Sequence, residues 1–233
     1  MSRLGIAASI RRSTALAALL VAGVLAALSF SAAAQSTAPE ELPEAGTELA
    51  PGRYVSSAVG PTIDFRVGEG WLVSPEVDGP VITLERTAQP GTVLTITRFD
   101  GVVYVDPCDP TSLTDVDVSV GRFVEVVAGN PFLNPAPPSP IEVDGYAGLS
   151  LDVATPAFDE CPRPYLLIWA LPMPDGQFIQ VGGQQSRFVA VDVEGDIVVI
   201  AIESFPGVPF GRLLDEAMEL TRSMRIEPGE YVP

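Results

Sequence analysis

The chain has 233 residues and a net charge of −17, from 30 acidic and 13 basic side chains. It has no histidine, and every basic residue is arginine, which stays protonated and cannot act as a base. Together these exclude Ser-His-Asp and Cys-His catalysis, Schiff-base and Ser-Lys chemistry, and a phosphate-cradling P-loop lysine.

Arg3, Arg11 and Arg12 precede an uncharged apolar run from Thr14 to Phe30, and Ala32-Ala33-Ala34 leads into Gln35. A basic start, an apolar middle and a small-residue end predict a signal peptide over residues 1–34, cleaved near Ala34/Gln35. A retained membrane anchor is the second reading, since Thr14 to Ala34 is long enough to span hydrocarbon. The polar Gln35-Ser36-Thr37 favours cleavage, and no cysteine stands there to carry lipid. The expected location is extracytoplasmic, secreted or in the cell envelope.

Ten arginines and all 30 acids follow the leader, a net charge of −20 on about 200 residues. That length suits one domain. The charge repels nucleic acid and anionic lipid headgroups, so the sequence predicts no nucleic-acid partner, no membrane insertion after cleavage, and a monomer.

Residues 35–50 carry acid and proline with few large apolar groups, and read as a disordered linker. A single domain is expected over 51–229, with a short tail at 230–233. Short β-branched and aromatic runs broken by Gly, Pro and Asp predict strands at Arg53–Val59, Thr62–Val67, Leu72–Val77, Val81–Thr87, Thr92–Phe99 and Val102–Val105. Val120–Ala128 has helical spacing with Phe123, Val124 and Val127 inward, although its valines also suit a strand. Asn130 to Pro140, with five prolines, reads as a loop. Further strands are expected at Tyr146–Ala154, Tyr165–Leu171, Phe178–Val181, Phe188–Val193 and Ile197–Ser204. The last two form a hairpin about Glu194-Gly195-Asp196, with glycine supplying the positive φ of a tight turn. Ile197–Ser204 is apolar at odd and even positions alike, as is Tyr165–Leu171, so the sheet must be covered on both faces. Phe210–Met224 supplies one cover as an amphipathic helix, with Leu213, Leu214, Ala217 and Leu220 on its apolar side.

The two cysteines, Cys108 and Cys161, sit in Pro- and Asp-rich settings, Asp106-Pro-Cys-Asp-Pro and Asp159-Glu-Cys-Pro-Arg-Pro. In an exported chain they predict one structural disulfide. A reactive thiol would need a histidine or lysine beside it, and metal ligation would need more soft ligands.

Five features form a pattern: Leu49-Ala-Pro-Gly-Arg-Tyr54, Gly70-Trp71, Gly145-Tyr-Ala-Gly148, the late Val191-Asp-Val-Glu-Gly-Asp-Ile hairpin, and a terminal helix running into Ser223-Met-Arg-Ile226. The pattern, over about residues 49–227, resembles exported bacterial domains of unknown function and, more distantly, the PsbP-like sandwich of photosystem accessory proteins. The resemblance implies an α+β fold, mainly antiparallel β-sheet flanked by helices, with accessory or binding roles. It carries over no catalytic residue.

Acidic clusters at Asp106, Asp109, Asp115 and Asp117, and at Asp192, Glu194 and Asp196, have the oxygen chemistry of calcium ligands. Gly195 falls fourth rather than sixth, so the EF-hand spacing fails, and solvated turn acids are the expected reading. A glycosidase needs two carboxylates facing one cleft, and no pair stands out. Gly148-Leu-Ser150 lacks the second glycine of a nucleophile elbow. Trp71 and Trp169 have the chemistry of a binding platform but are expected in the core. The prolines at 131–140 and the segment Phe205–Phe210 read as connectors.

The sequence therefore predicts a non-catalytic exported binding or accessory module, with no cofactor or metal, whose partner is a protein, an envelope polymer or a small ligand. The alternatives are a carboxylate-dependent hydrolase or calcium-dependent binder, and an anchored envelope protein with the same outer domain. An apolar-walled cavity into which two acids converge separates the second class from the first.

Overall fold

The computed structural model describes residues 38–75 and 79–229, so the predicted leader and the tail lie outside the described residues. In chain order the strands are β1 (Glu40–Glu41), β2 (Glu48–Leu49), β3 (Gly52–Ser56), β4 (Thr62–Val67), β5 (Trp71–Val73), β6 (Ile82–Arg86), β7 (Thr92–Arg98), β8 (Val102–Tyr104) and β9 (Leu113–Asp115). Helix α1 (Val120–Ala128) follows, then β10 (Asn134–Pro135), β11 (Ser139–Val143), β12 (Tyr146–Ala154), β13 (Tyr165–Ala170), β14 (Gln177–Val181), β15 (Gln185–Val193) and β16 (Asp196–Ser204). The chain closes with α2 (Phe210–Arg222) and β17 (Arg225–Glu227). This is the α+β, mainly antiparallel architecture expected.

A central sheet of nine strands runs β10-β12-β15-β16-β7-β6-β5-β2, with β11 also on β12. A four-stranded sheet, β1-β3-β4-β17, and α2 cover one face, and a second, β14-β13-β8-β9, and α1 cover the other. Alternation along β16 divides the two cores. Val198, Ile200 and Ile202 pack with Phe65, Leu94, Leu213 and Ala217. Val199 and Ala201 pack on the opposite side with Phe99, Phe123, Trp169 and Phe188. The second core is aromatic at its centre: Trp169 stacks on Phe178 at 3.8 Å between ring centroids and meets the edges of Phe123 and Phe188.

Helix wins over strand at Val120–Ala128. Ser119 Oγ accepts the Arg122 backbone N–H at 3.1 Å, capping the first turn, and Phe123, Val124 and Val127 are buried on one side. Cap and periodicity outweigh the low helix propensity of valine. Among the described residues no helix is long and apolar enough to cross a membrane.

Two expectations are corrected. Residues 40–49, expected in a disordered linker, are paired: Glu40–Glu41 run parallel to β3, and Glu48–Leu49 lie against β5. Leu49 is buried and Leu42 packs on the first core, so two leucines suffice to anchor an otherwise polar stretch to sheet edges. The expected loop at 130–140 contributes β10 and the start of β11. Pro140 is tolerated because β11 pairs on one side alone. The β11–β12 turn is Asp144-Gly145, with φ of 51° and 87°, and the β15–β16 turn is Glu194-Gly195, with φ of 55° and 104°. Both are two-residue turns of the mirror-image kind that matches strand twist, so Asp196 belongs to β16 rather than to the turn.

Smaller differences lie at strand ends. Strand β5 stops at Val73, and Val77, the predicted end of that strand, is outside the described residues. Val105, expected to end β8, is outside the strand and exposed.

The structure brings Cys108 and Cys161 to disulfide distance, with Cα atoms 5.1 Å apart. They join the loop after β8 to the loop before β13. In the same place, Leu167 N–H donates to Pro107 O at 2.9 Å.

Candidate functional site

The acids singled out in the sequence do not converge. Asp106 Oδ1 accepts the Cys108 N–H, and Asp109 Oδ1 accepts both the N–H and the hydroxyl of Thr111. The hydrogen bonds from Thr111, backbone first, hold the Asp109 carboxyl below its usual range. Asp115 and Asp117 are exposed, and Asp192 Oδ1 caps its own turn through the Gly195 N–H. Glu194 is exposed in that turn and Asp196 opens β16. Among the described residues, no group of three or more acids or cysteines is arranged to hold a metal ion. Trp71 and Trp169 are both core residues, as expected.

Two acids the sequence reading passed over do meet at one cavity. Glu85, Val93, Glu203 and Ser186 stand opposite one another on β6, β7, β16 and β15. Directly paired residues share a sheet face, so this row lies on the side covered by the β13–β14 hairpin. Two strand spacings put the Glu85 and Glu203 backbones about 10 Å apart. The residues lining the cavity include Glu85, Glu203, Thr83 and Ser74 with the apolar groups of Val93 and Phe178, and its volume is about 180 Å³.

Glu203 is 7% exposed and sits in a network contributed by three segments. Its Oε1 accepts Gln180 Nε2 at 2.7 Å and Gln184 Nε2 at 2.6 Å. Gln180 Oε1 in turn accepts the hydroxyls of Thr155 at 3.1 Å and Ser186 at 3.0 Å. Gln184 Oε1 accepts the Val181 N–H at 2.8 Å, closing the turn that leads from β14 to β15. No arginine lines the cavity, so no positive charge there offsets the cost of burying a negative one. Burial pushes the Glu203 carboxyl up to about 8, against the opposing pull of the two glutamine amides. Glu203 is therefore a neutral acid at pH 7.

Two oxygens here lack a protein partner, and of these only Thr83 Oγ1 is shut off from solvent. Glu203 Oε2 makes no hydrogen bond among the described residues. Thr83 Oγ1 is fully buried and also without a partner. The other fully buried side-chain group without a partner among the described residues is Trp169 Nε1, in the aromatic core. Ser74 Oγ donates to Glu85 Oε1. In the larger clefts of about 640 and 440 Å³ beside Arg86, that guanidinium is already bonded to Glu216 at 3.1 Å and to Glu69 O. Only the cavity over Glu203 combines apolar walls, two acids and unmet oxygens, among the clefts of the described residues.

Thr83→Val removes an unmet buried hydroxyl at nearly constant shape. The expected result is a gain of about 1 kcal/mol in stability, read from urea unfolding of the ligand-free protein. A loss of that size instead would mean that Thr83 Oγ1 is bonded.

The sequence did contain a signal for Glu203. It is an acid at the inward, odd position of a strand whose preceding odd positions are Ile197, Val199 and Ala201. An acid in register with core residues is a candidate for a perturbed group. Glu85 and Thr83 carry the same signal more weakly, because β6 alternates and reads as half-exposed.

The fold and site define an α+β sandwich with a small polar-floored cavity under one covering sheet. No protein-family model matches the chain, and no curated protein matches it significantly. Among solved structures it is similar to LpqN of Mycobacterium tuberculosis, a protein involved in cell envelope biogenesis. The identity is 16% and the TM-score 0.41, covering 73% of this chain and 86% of that one. It is also similar to cyanobacterial PsbP (CyanoP) from Synechocystis sp. PCC 6803, at 11% identity and a TM-score of 0.39, covering 79% and 97%. No role for any residue follows from likenesses this distant.

Proposed function

We propose that this chain is an exported accessory module that holds a small ligand in the cavity between the central sheet and the β13–β14 hairpin. The observation that carries the reading is an apolar-walled cavity that Glu203 lines, with its Oε2 free of any protein partner. A carboxyl oxygen without a protein partner among apolar walls is suited to the polar group of a small ligand. The leader pattern and the meeting of Cys108 with Cys161 support export. Of the partners the composition allows, a small ligand fits best, because a cavity of about 180 Å³ has room for about six water molecules and not for a polymer.

A carboxylate-dependent hydrolase is the second reading: Glu85 and Glu203 at one cavity meet the converging-acid criterion, but about 180 Å³ leaves no room for a polymeric substrate between them. One experiment addresses both. The mature protein is incubated with a small-molecule extract of cell envelope, isolated by gel filtration and denatured, and the released compounds are identified by mass spectrometry. An intact compound is expected from the wild type and not from a folded Val93→Phe variant, whose larger side chain fills the cavity. Cleaved products would favour the hydrolase. Equal yields from both proteins would contradict the cavity as the site.

A further inference from the structure

The cavity's polar groups define the ligand more narrowly than its volume does. Glu203 Oε1 already accepts two amide N–H groups, so the proton of the neutral acid resides on Oε2 and makes it a hydrogen-bond donor. No acceptor among the described residues takes that proton. Thr83 Oγ1 also lacks a partner, but it is fully buried and a molecule in the cavity does not reach it. The remaining wall is largely apolar, from Val93, Leu171, Phe178, Ile179 and Phe205.

Charge is poorly suited to this site. An anion would meet two carboxyl groups and no arginine. A cation would have Glu85 alone to pair with unless Glu203 ionised beneath β14, where burial opposes it. The titratable group facing Glu203 across the cavity is Glu85 on β6. The other elements packed there present uncharged groups: Val93 and Thr95 of β7, Ser186 of β15, and Gln177 and Gln180 of β14.

We infer that the occupant is a neutral molecule of about six to eight non-hydrogen atoms, with an apolar body and a carbonyl or ether-type oxygen that accepts from Glu203 Oε2. The inference rests on the reading of the cavity as a ligand site and adds the class of ligand. Short-chain esters and N-alkyl amides have this chemistry. Their carboxylate, ammonium and metal-ion counterparts do not.

The test uses ¹H–¹⁵N spectra of the mature protein, following the backbone amides of Thr83, Phe178 and Glu203. The probes are ethyl butyrate, N-propylacetamide, sodium butyrate, butylammonium chloride and calcium chloride. The two neutral probes are expected to shift these amides saturably at pH 6.5, and the charged ones to bind at least tenfold more weakly. Glu203→Gln presents an N–H donor where the acid presented O–H, so binding of the neutral probes should survive in that variant. Its affinity should be flat from pH 6 to pH 10, whereas the wild type should lose at least tenfold over the same range. Stronger binding of calcium or butylammonium at these amides, abolished in Glu203→Gln, would overturn the ligand class and leave the cavity as a site. If no probe moves these amides and no compound is released from the wild type after exposure to envelope extract, both the class and the site are overturned.

Discussion

Glu203→Gln is expected to stabilise the protein, and the gain should grow with pH. In the folded protein the Glu203 proton is held up to about pH 8, whereas the unfolded chain releases it near the ordinary value of 4.5. Between those two values the folded state binds one more proton than the unfolded state, so its stability falls as pH rises. The slope is about 1.4 kcal/mol per pH unit, and it ends above about pH 8, where both states are ionised. Glutamine has no proton to lose, and its Oε1 can still accept the amides of Gln180 and Gln184. The variant-minus-wild-type difference should therefore be about 3 kcal/mol larger at pH 7 than at pH 4.5. Urea unfolding of both proteins at pH 4.5 and at unit steps from pH 5 to pH 9 measures this, and the pairing cancels the titration of the other acids. A difference that does not change with pH would mean that Glu203 is not buried as a neutral group.

Removing the cysteine pair is expected to be comparably costly. The two residues are 53 apart in sequence, and their bond would restrict the unfolded chain by about 4 kcal/mol on the chain-entropy estimate. Cys108→Ser with Cys161→Ser should lower stability by about that amount at pH 7. The loops it frees are those at the β8 and β13 ends of the covering sheet, on the same side of the central sheet as the cavity. Thiol labelling of the denatured, unreduced exported protein should find no free sulfhydryl. Two labelled thiols, or an unchanged unfolding midpoint in the double variant, would contradict the staple.

Much of the fold could be read from the residues because local pattern and packing agree. The two-sided apolar run Ile197–Ile202 required a cover on each face, and the structure supplies one sheet and one helix on each. The amphipathic spacing of Phe210–Arg222 gave α2, and Glu194-Gly195 placed a hairpin. What was missed depends on partners distant in sequence. Glu48–Leu49 becomes a strand because β5 offers an edge, and Arg225–Glu227 because β4 does, with Arg66 N–H donating to Ser223 Oγ at 2.8 Å where α2 ends. The hairpin at Asp144-Gly145 had a local signal, but the prolines before it argued for a loop. Only its place at a sheet edge makes Pro140 harmless.

The candidate site was legible in kind but not in position. The absence of histidine and lysine directed attention to carboxylates, and the converging-acid criterion did find a cavity. The acids named from the sequence were those clustered along the chain, at 106–117 and 192–196, and these turn out to serve turns and solvent. Glu85 and Glu203 are 118 positions apart and become neighbours in one cross-strand row through the register of β6, β7 and β16. Register is set by pairings that span the whole domain, so a single strand does not disclose it.

The most direct measurement is a ¹³C titration of the Glu203 side-chain carboxyl in the folded mature protein, assigned by comparison with Glu203→Gln. A midpoint near pH 8, with the chemical shift of a neutral acid throughout pH 5–7, is the expected result. A midpoint below pH 5 would make Glu203 an ordinary ionised carboxylate and remove the proton donor on which the ligand site is built.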